Sequence, residues 1–198
     1  MPNWRDRLVQ FVTTECRPID KLSHMQRLVP LTRLVGAGLT YDDDIVFAAV
    51  WLHDLGVFIG HRPEEPAKLA VWDHTTYAMA QSPKILTELG FPVEKIDRVI
   101  EVIRTHQPQD NPQTIEGTIL RDADILEQLG AVTILRTAAK VGRDTRFAQF
   151  DDVISALTRQ RDRLPSLIRL ESAQQLAKPR IDFLNRFLES WSAEAVRS

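Results

Sequence analysis

The sequence predicts an all-α fold, read as a single-domain helical bundle. Three observations carry that reading. Apolar residues recur at three- and four-residue intervals along most of the chain, the spacing that places them on one side of a helix. Strict polar–apolar alternation, the mark of a half-buried strand, is almost absent. Glycine and proline fall mostly between the apolar stripes, where helices begin and end.

The elements follow in order. Pro2 or Asn3 opens a first helix whose apolar side holds Trp4, Leu8, Phe11 and Val12. Asp20 caps a second, carrying Leu22, Met25, Leu28, Val29, Leu31, Leu34 and Val35, and Gly36 and Gly38 stop it. Thr40 starts a third, with Asp43 as a capping-box variant. Asp42, Asp43 and Asp44 read as first-turn acids complementing the helix dipole rather than as metal ligands. This helix contains the apolar run Ile45–Leu52. Periodicity lapses from Gly56 to about Ala67, where Gly60, Pro63 and Pro66 mark a loop, and returns from Leu69 to Leu89. Ser82-Pro83 reads there as a fresh cap and first helical turn. Pro92 opens a helix with Val93, Ile96, Val99, Ile100 and Ile103 that ends near His106. A polar loop, 107–113, precedes a long helical segment from Thr114 to about Val141 that Gly130 bends. Residues 151–197 read as three helical stretches parted by Pro165 and Pro179.

Composition narrows the function classes. Hydrophobic residues make up 43% and charged residues 26% of 198 residues, enough for one domain with a sizeable core. A net charge of -2 gives no footprint for nucleic acid. The single cysteine, Cys16, excludes an internal disulfide framework, reads as a buried or half-buried helix residue and fits a reducing compartment. No apolar stretch approaches the ~20 residues of a membrane span, and the first residues lack a signal-peptide core. The expectation is a cytoplasmic protein with a small-molecule substrate, no nucleic-acid partner and no membrane association.

His53-Asp54 ends the apolar run, and Leu55-Gly56 follows at once. An imidazole beside a carboxylate at the end of a buried helix suits a divalent metal. His24, His74, His106 and Asp124 extend the set, each beside an apolar stripe. An Asp at position 124, among Ile119, Leu120, Ile125, Leu126 and Leu129, is costly to bury unless paired or bound to a cation. Such ligands suit Mn, Fe, Co, Ni or Zn rather than Ca. Each histidine taken alone also reads as an ordinary helix residue. His61, in the proline-rich loop, reads as exposed and idle or as part of a substrate lid.

The ordered series His24, His53-Asp54, His74, His106, Asp124 resembles the HD-domain superfamily of metal-dependent phosphohydrolases. The stretch Asp122-Ala123-Asp124-Ile125-Leu126-Glu127-Gln128-Leu129-Gly130-Ala131 resembles a bacterial branch with an Asp-Ala-Asp-x-Leu-Asp-x-Leu-Gly-Ala segment, as does the ending Glu171–Ala177 with Arg180, Phe183 and Phe187-Leu188. The resemblance covers about residues 20–190. It implies one HD-type domain over 1–198, with a core at about 20–145 and C-terminal helices at 150–195 packing on it. By position it implies that His24, His53, Asp54 and Asp124 hold one metal ion, with Asp122 as the fallback or as a partner of the ligands. His74 and His106 match positions that hold a second ion in some members and face substrate phosphate in others.

The reaction so implied is hydrolysis of a phosphorylated small molecule, with a nucleotide foremost. One or two divalent ions, Mg included, would activate the water that attacks phosphorus. Asp54, His74 and His106 are the candidate catalytic residues. His74, His106, Lys140 and Arg143 are the candidate substrate contacts, with Arg146 nearby; the basic residues also read as a solvated helix end. One departure stands out. Val57-Phe58-Ile59 follows the His-Asp turn where many members place a polar residue, so no general acid is evident there. Glu64, Glu65 and Asp73 are the substitutes in reach, and with Trp51 and Trp72 the triplet would also suit a less charged pocket. Two alternatives stay open: a related metal-dependent hydratase or hydrolase on a non-phosphorylated molecule, and a non-catalytic metal- or ligand-sensing module.

Overall fold

The computed structural model describes residues 3–195, apart from the side chain of Asp20. Ten α-helices occur among these residues: α1 (Trp4–Glu15), α2 (Asp20–Val35), α3 (Asp43–Leu52), α4 (Pro66–Ala70), α5 (His74–Glu88), α6 (Ile96–Arg104), α7 (Ile115–Glu127), α8 (Ala131–Ala138), α9 (Phe150–Arg163) and α10 (Glu171–Ala195). Short 3-10 turns occupy Leu55–Val57, Val93–Lys95 and Pro165–Leu167. The described residues form no strand, only an isolated bridge between Ile59 and Arg62. The all-α expectation therefore holds. No described helix is long and apolar enough to cross a membrane. The chain divides into two compact units, Met1–Arg121 and Asp122–Ser198, and the boundary falls inside α7, which is unbroken there.

In the first unit α3 is the central element. Its run Ile45, Val46, Ala48, Ala49, Val50, Trp51 and Leu52 is buried on all sides, because α1, α2 and α6 pack around it. Burial of each large aliphatic side chain contributes about 1.5–3 kcal/mol. The acidic start of α3 is a junction of ion pairs. Arg5 reaches Asp43 at 2.8 Å and Asp44 at 2.6 Å, and Lys95 reaches Asp42 at 2.9 Å and Asp44 at 3.0 Å. The capping reading of these acids is supported, with one shift: Asp42, not Thr40, is the cap, and its Oδ1 accepts the Asp44 N–H at 3.1 Å.

The second unit is built from the end of α7 with α8, α9 and α10. Val153, Leu157, Ala173, Ala177, Leu184 and Leu188 are buried in it. Gly130 does more than bend a long helix. Its φ of +82° lies in the left-handed region and separates α7 from α8. An added Cβ there would fall 3.1 Å from Cβ of Arg180, whose Nη1 donates to Leu126 O at 2.7 Å.

Other boundaries differ from the sequence reading for local reasons. α2 begins at Asp20 with Ile19 in the cap position, so Asp20 is inside the helix; the expected cap interaction of its side chain lies outside the described residues, as does Pro2. Asn3 caps α1, its side chain accepting the Asp6 N–H at 3.0 Å. Ser82-Pro83 starts no new helix: α5 runs through it, and Ser82 Oγ donates back to Ala78 O at 2.7 Å. Pro179 likewise lies inside α10. Cys16 is fully buried at the end of α1, and its thiol is free of any disulfide.

Candidate metal centre

The first unit gathers four histidines around one carboxylate. His53 closes α3, His106 follows α6, His74 begins α5, and His24 is in the second turn of α2. Their rings form a connected series: His24 to His53 at 5.4 Å between centroids, His53 to His106 at 4.9 Å, and His106 to His74 at 5.9 Å. One ligand atom from each of His53, Asp54 and His106 lies within 4.8 Å of the others. Asp54 Oδ1 is 3.8 Å from both His53 Nε2 and His74 Nε2. His24, His53 and His106 are buried, whereas Asp54 and His74 are half-buried.

Two of the imidazoles are held in a defined tautomer. His53 Nδ1 is 2.9 Å from Val50 O and His106 Nδ1 is 2.7 Å from Ile103 O. A carbonyl oxygen only accepts, so each Nδ1 donates, and each neutral ring keeps its lone pair on Nε2. This is how metal-binding imidazoles are oriented by their surroundings. Both contacts bridge three residues at a helix end, so the local backbone sets the ring direction. The donor set, imidazole nitrogens with a carboxylate, fits a first-row divalent ion.

Gly56 explains the Gly that follows the His-Asp pair. A Cβ there would lie 2.5 Å from His74 O and 2.7 Å from His74 Cα. The bare Cα lets the start of α5 press against the turn after Asp54 and brings His74 to the carboxylate. Trp72 Nε1 donates to Gly56 O at 2.8 Å and braces the same junction. Asp73 caps α5, its Oδ1 accepting from Thr75 N at 2.9 Å and Thr76 N at 3.1 Å. It is therefore a helix cap first and a neighbour of His74 second.

The electrostatics separate the groups. Burial opposes ionisation of Asp54, but the fields of His53, His24, Lys21 and His106 outweigh it and hold the carboxyl well below the usual range. Burial lowers the pKa of His74; Asp54 pulls the other way and His106 adds to the lowering, so the ring is neutral at pH 7.

The remaining candidates have these partners and burial. Asp124 belongs to the second unit, half-buried on α7, and its Oδ2 accepts from Gln128 Nε2 at 3.2 Å. Asp122 is fully buried, and its Oδ2 accepts the backbone N–H groups of Arg169 at 2.9 Å and Leu170 at 2.7 Å. Lys140 lies over the Phe147 ring at 5.4 Å, Arg143 is exposed, and Arg146 pairs with Asp144 at 2.6 Å; all three are in the second unit. In the apolar triplet after the turn Phe58 is wholly buried, Val57 is half-buried and Ile59 is exposed. His61 is neither exposed nor idle: its Nδ1 is 3.0 Å from Tyr77 Oη and its Nε2 3.1 Å from Glu15 Oε2. The sequence reading missed these partners because each is distant along the chain. It also missed Lys21, one turn before His24 on α2, although the three-residue spacing was visible.

The family model for the HD domain matches residues 22–129. The uncharacterized protein YpgQ of Bacillus subtilis is 26% identical over 188 residues, spanning 91% of this chain and 86% of its own. The crystal structure of YpgQ superposes with a TM-score of 0.75 at 22% identity, covering 96% of this chain and 95% of that one. A further structure of YpgQ, in complex with ADP, gives 0.74 at 22% identity over 96% and 94%. A predicted HD-superfamily hydrolase from an uncultured Thermotogales bacterium gives 0.66 at 21% identity over 96% and 91%. The matched segment spans more than half of the chain and contains every histidine and aspartate of the series; the chain belongs to the HD-domain family.

Proposed function

We propose that the protein is a metal-dependent phosphohydrolase acting on a phosphorylated small molecule, with nucleotides as the first substrate class to test. The observation that carries this reading is the group of His53, Asp54 and His106, whose ligand atoms lie within 4.8 Å of one another and whose imidazoles both turn Nδ1 to a backbone carbonyl. We assign His24, His53, Asp54 and Asp124 to the ion; all four fall within the segment matched by the family model. Asp122 has its carboxylate committed to two backbone amides, which favours Asp124 as the ligand. A divalent ion held there lowers the pKa of a bound water and polarises a phosphoryl oxygen.

The other residues have separate tasks in this reading. His106 is as deeply buried as His53 and stands within ligand range of it, so it serves the ion or its water. His74 is more exposed, neutral and aimed at Asp54, a placement that suits hydrogen bonding to substrate. Lys140 and Arg143 are kept as candidate phosphate contacts. The solved complex of YpgQ with ADP supports a nucleotide as substrate class. The alternative of a non-phosphorylated substrate rests on Val57-Phe58-Ile59 with Trp51 and Trp72, and it is weakened by the burial of Phe58 and Trp51.

The test is a panel of nucleoside mono-, di- and triphosphates and generic phosphate esters with Mn²⁺, Co²⁺, Ni²⁺, Zn²⁺ or Mg²⁺. Release of phosphate or pyrophosphate that is lost in Asp54→Ala is the expected result. No release from any member under any metal would overturn the reading.

A further inference from the structure

We propose that Lys21 is the anion-recognising residue at the mouth of the metal centre, where its ammonium takes a phosphate oxygen of the substrate. The inference rests on the phosphohydrolase reading and names a residue that recognises the substrate. Lys21 stands in the first turn of α2, three residues before His24, so both project from the same side of that helix. A rise of about 1.5 Å per residue puts it roughly one turn outward from His24. The backbone fixes where that turn lies. Ile59 N–H donates to Arg17 O at 2.8 Å, which ties the residues just before α2 to the loop just after Asp54. The same loop is fastened again by His61 to Glu15 and to Tyr77, the latter three residues after His74 on α5. The start of α2, the turn after Asp54 and the start of α5 therefore meet on one side of the histidine series.

The charge of Lys21 is felt at two groups of the site. Its field favours the ionised form of Asp54 and the neutral form of His74, so the ammonium is within electrostatic reach of both. Lys21 is half-buried and makes no ion pair among the described residues. Most other cations of this unit near acids are committed: Arg5 to Asp43 and Asp44, Lys95 to Asp42 and Asp44, and Arg98 to Glu116 at 2.8 Å. A half-buried ammonium one helical turn from His24, with no ion pair among the described residues, is suited to a substrate anion, and a lysine supplies a point charge with rotatable donors.

The experiment measures binding apart from turnover. Full-length protein loaded with Mn²⁺ is titrated with ADP, and separately with inorganic phosphate, by calorimetry. The proteins are wild type, Lys21→Gln, Lys21→Glu, Lys21→Arg and, as a control on α5, Lys84→Gln. The expected result is ADP affinity weakened about tenfold or more in Lys21→Gln, further in Lys21→Glu, and largely kept in Lys21→Arg and the control, the scale of one charge-assisted hydrogen bond. Metal content and helicity should match wild type in all, and any turnover should show the change in KM more than in kcat. Wild-type affinity in Lys21→Gln, a loss of metal in that variant, or no binding of either probe by wild type would overturn the inference. Lys21-dependent ADP binding without hydrolysis of any panel member would instead sink the phosphohydrolase reading and leave the anion site standing.

Discussion

Gly56 is the residue on which the approach of His74 depends, because its Cα touches the backbone of His74 where any side chain would collide. Gly56→Ala should destabilise the protein by about 1–3 kcal/mol, the scale of forced repacking, and should lower activity even where the fold survives. Denaturant titration alongside turnover checks both, and an unchanged midpoint would contradict the close approach. His74 itself carries a pH signature. Its folded pKa is depressed below the ordinary ~6.5, so the unfolded chain binds this proton more readily. The contribution of His74 to stability is therefore full above ~6.5 and is lost as pH falls through the depressed value. Unfolding of metal-free wild type and His74→Ala between pH 5 and 8 should show a flatter pH dependence in the variant; identical slopes would refute it. The two aspartates of α7 make a discriminating pair. Asp122→Ala strands two backbone amides and should destabilise the chain by about 2 kcal/mol or more, whereas Asp124→Ala should spare stability and remove metal.

Among the elements, the helices were legible in the sequence wherever the apolar stripe was regular, as in α1, α3, α6 and α7, and α1 and α3 add a side-chain cap. The histidines were legible for a related reason: His24, His53 and His106 each stand beside a stripe that had to be buried. The prolines misled. An interior proline costs about 3 kcal/mol in an isolated helix, yet α5 and α10 continue through Pro83 and Pro179. In α5 the buried residues Ala78, Ser82 and Leu86 follow one another at four-residue spacing across Pro83. In α10 Ala173, Ala177, Leu184 and Leu188 keep one face at intervals of four and seven residues across Pro179. Packing along a continuous face outweighs the local penalty, and no local window of sequence shows that face. The Glu15–His61–Tyr77 bonds were hidden for the same reason, since their partners are fixed by tertiary structure. One element-scale prediction concerns the cap of α5: Asp73→Ala should cost about 0.5–2 kcal/mol in thermal or chemical unfolding. An effect below a few tenths would show that the cap is dispensable.

For the whole molecule, we propose that the chain acts as one domain, as its sequence suggests, although it divides into two compact units. The division falls within α7, whose backbone ladder continues from Arg121 into Asp122. Thermal unfolding should then show a single cooperative transition, and two resolved transitions would contradict the proposal. The most direct measurement of the central claim is metal content. Wild type, His53→Ala, Asp54→Ala and Asp124→Ala are loaded with Mn²⁺, freed of excess ion and analysed for bound metal, with circular dichroism to confirm helicity. The account predicts bound metal in wild type and its loss from all three folded variants. Wild-type metal content in His53→Ala or Asp54→Ala would contradict it.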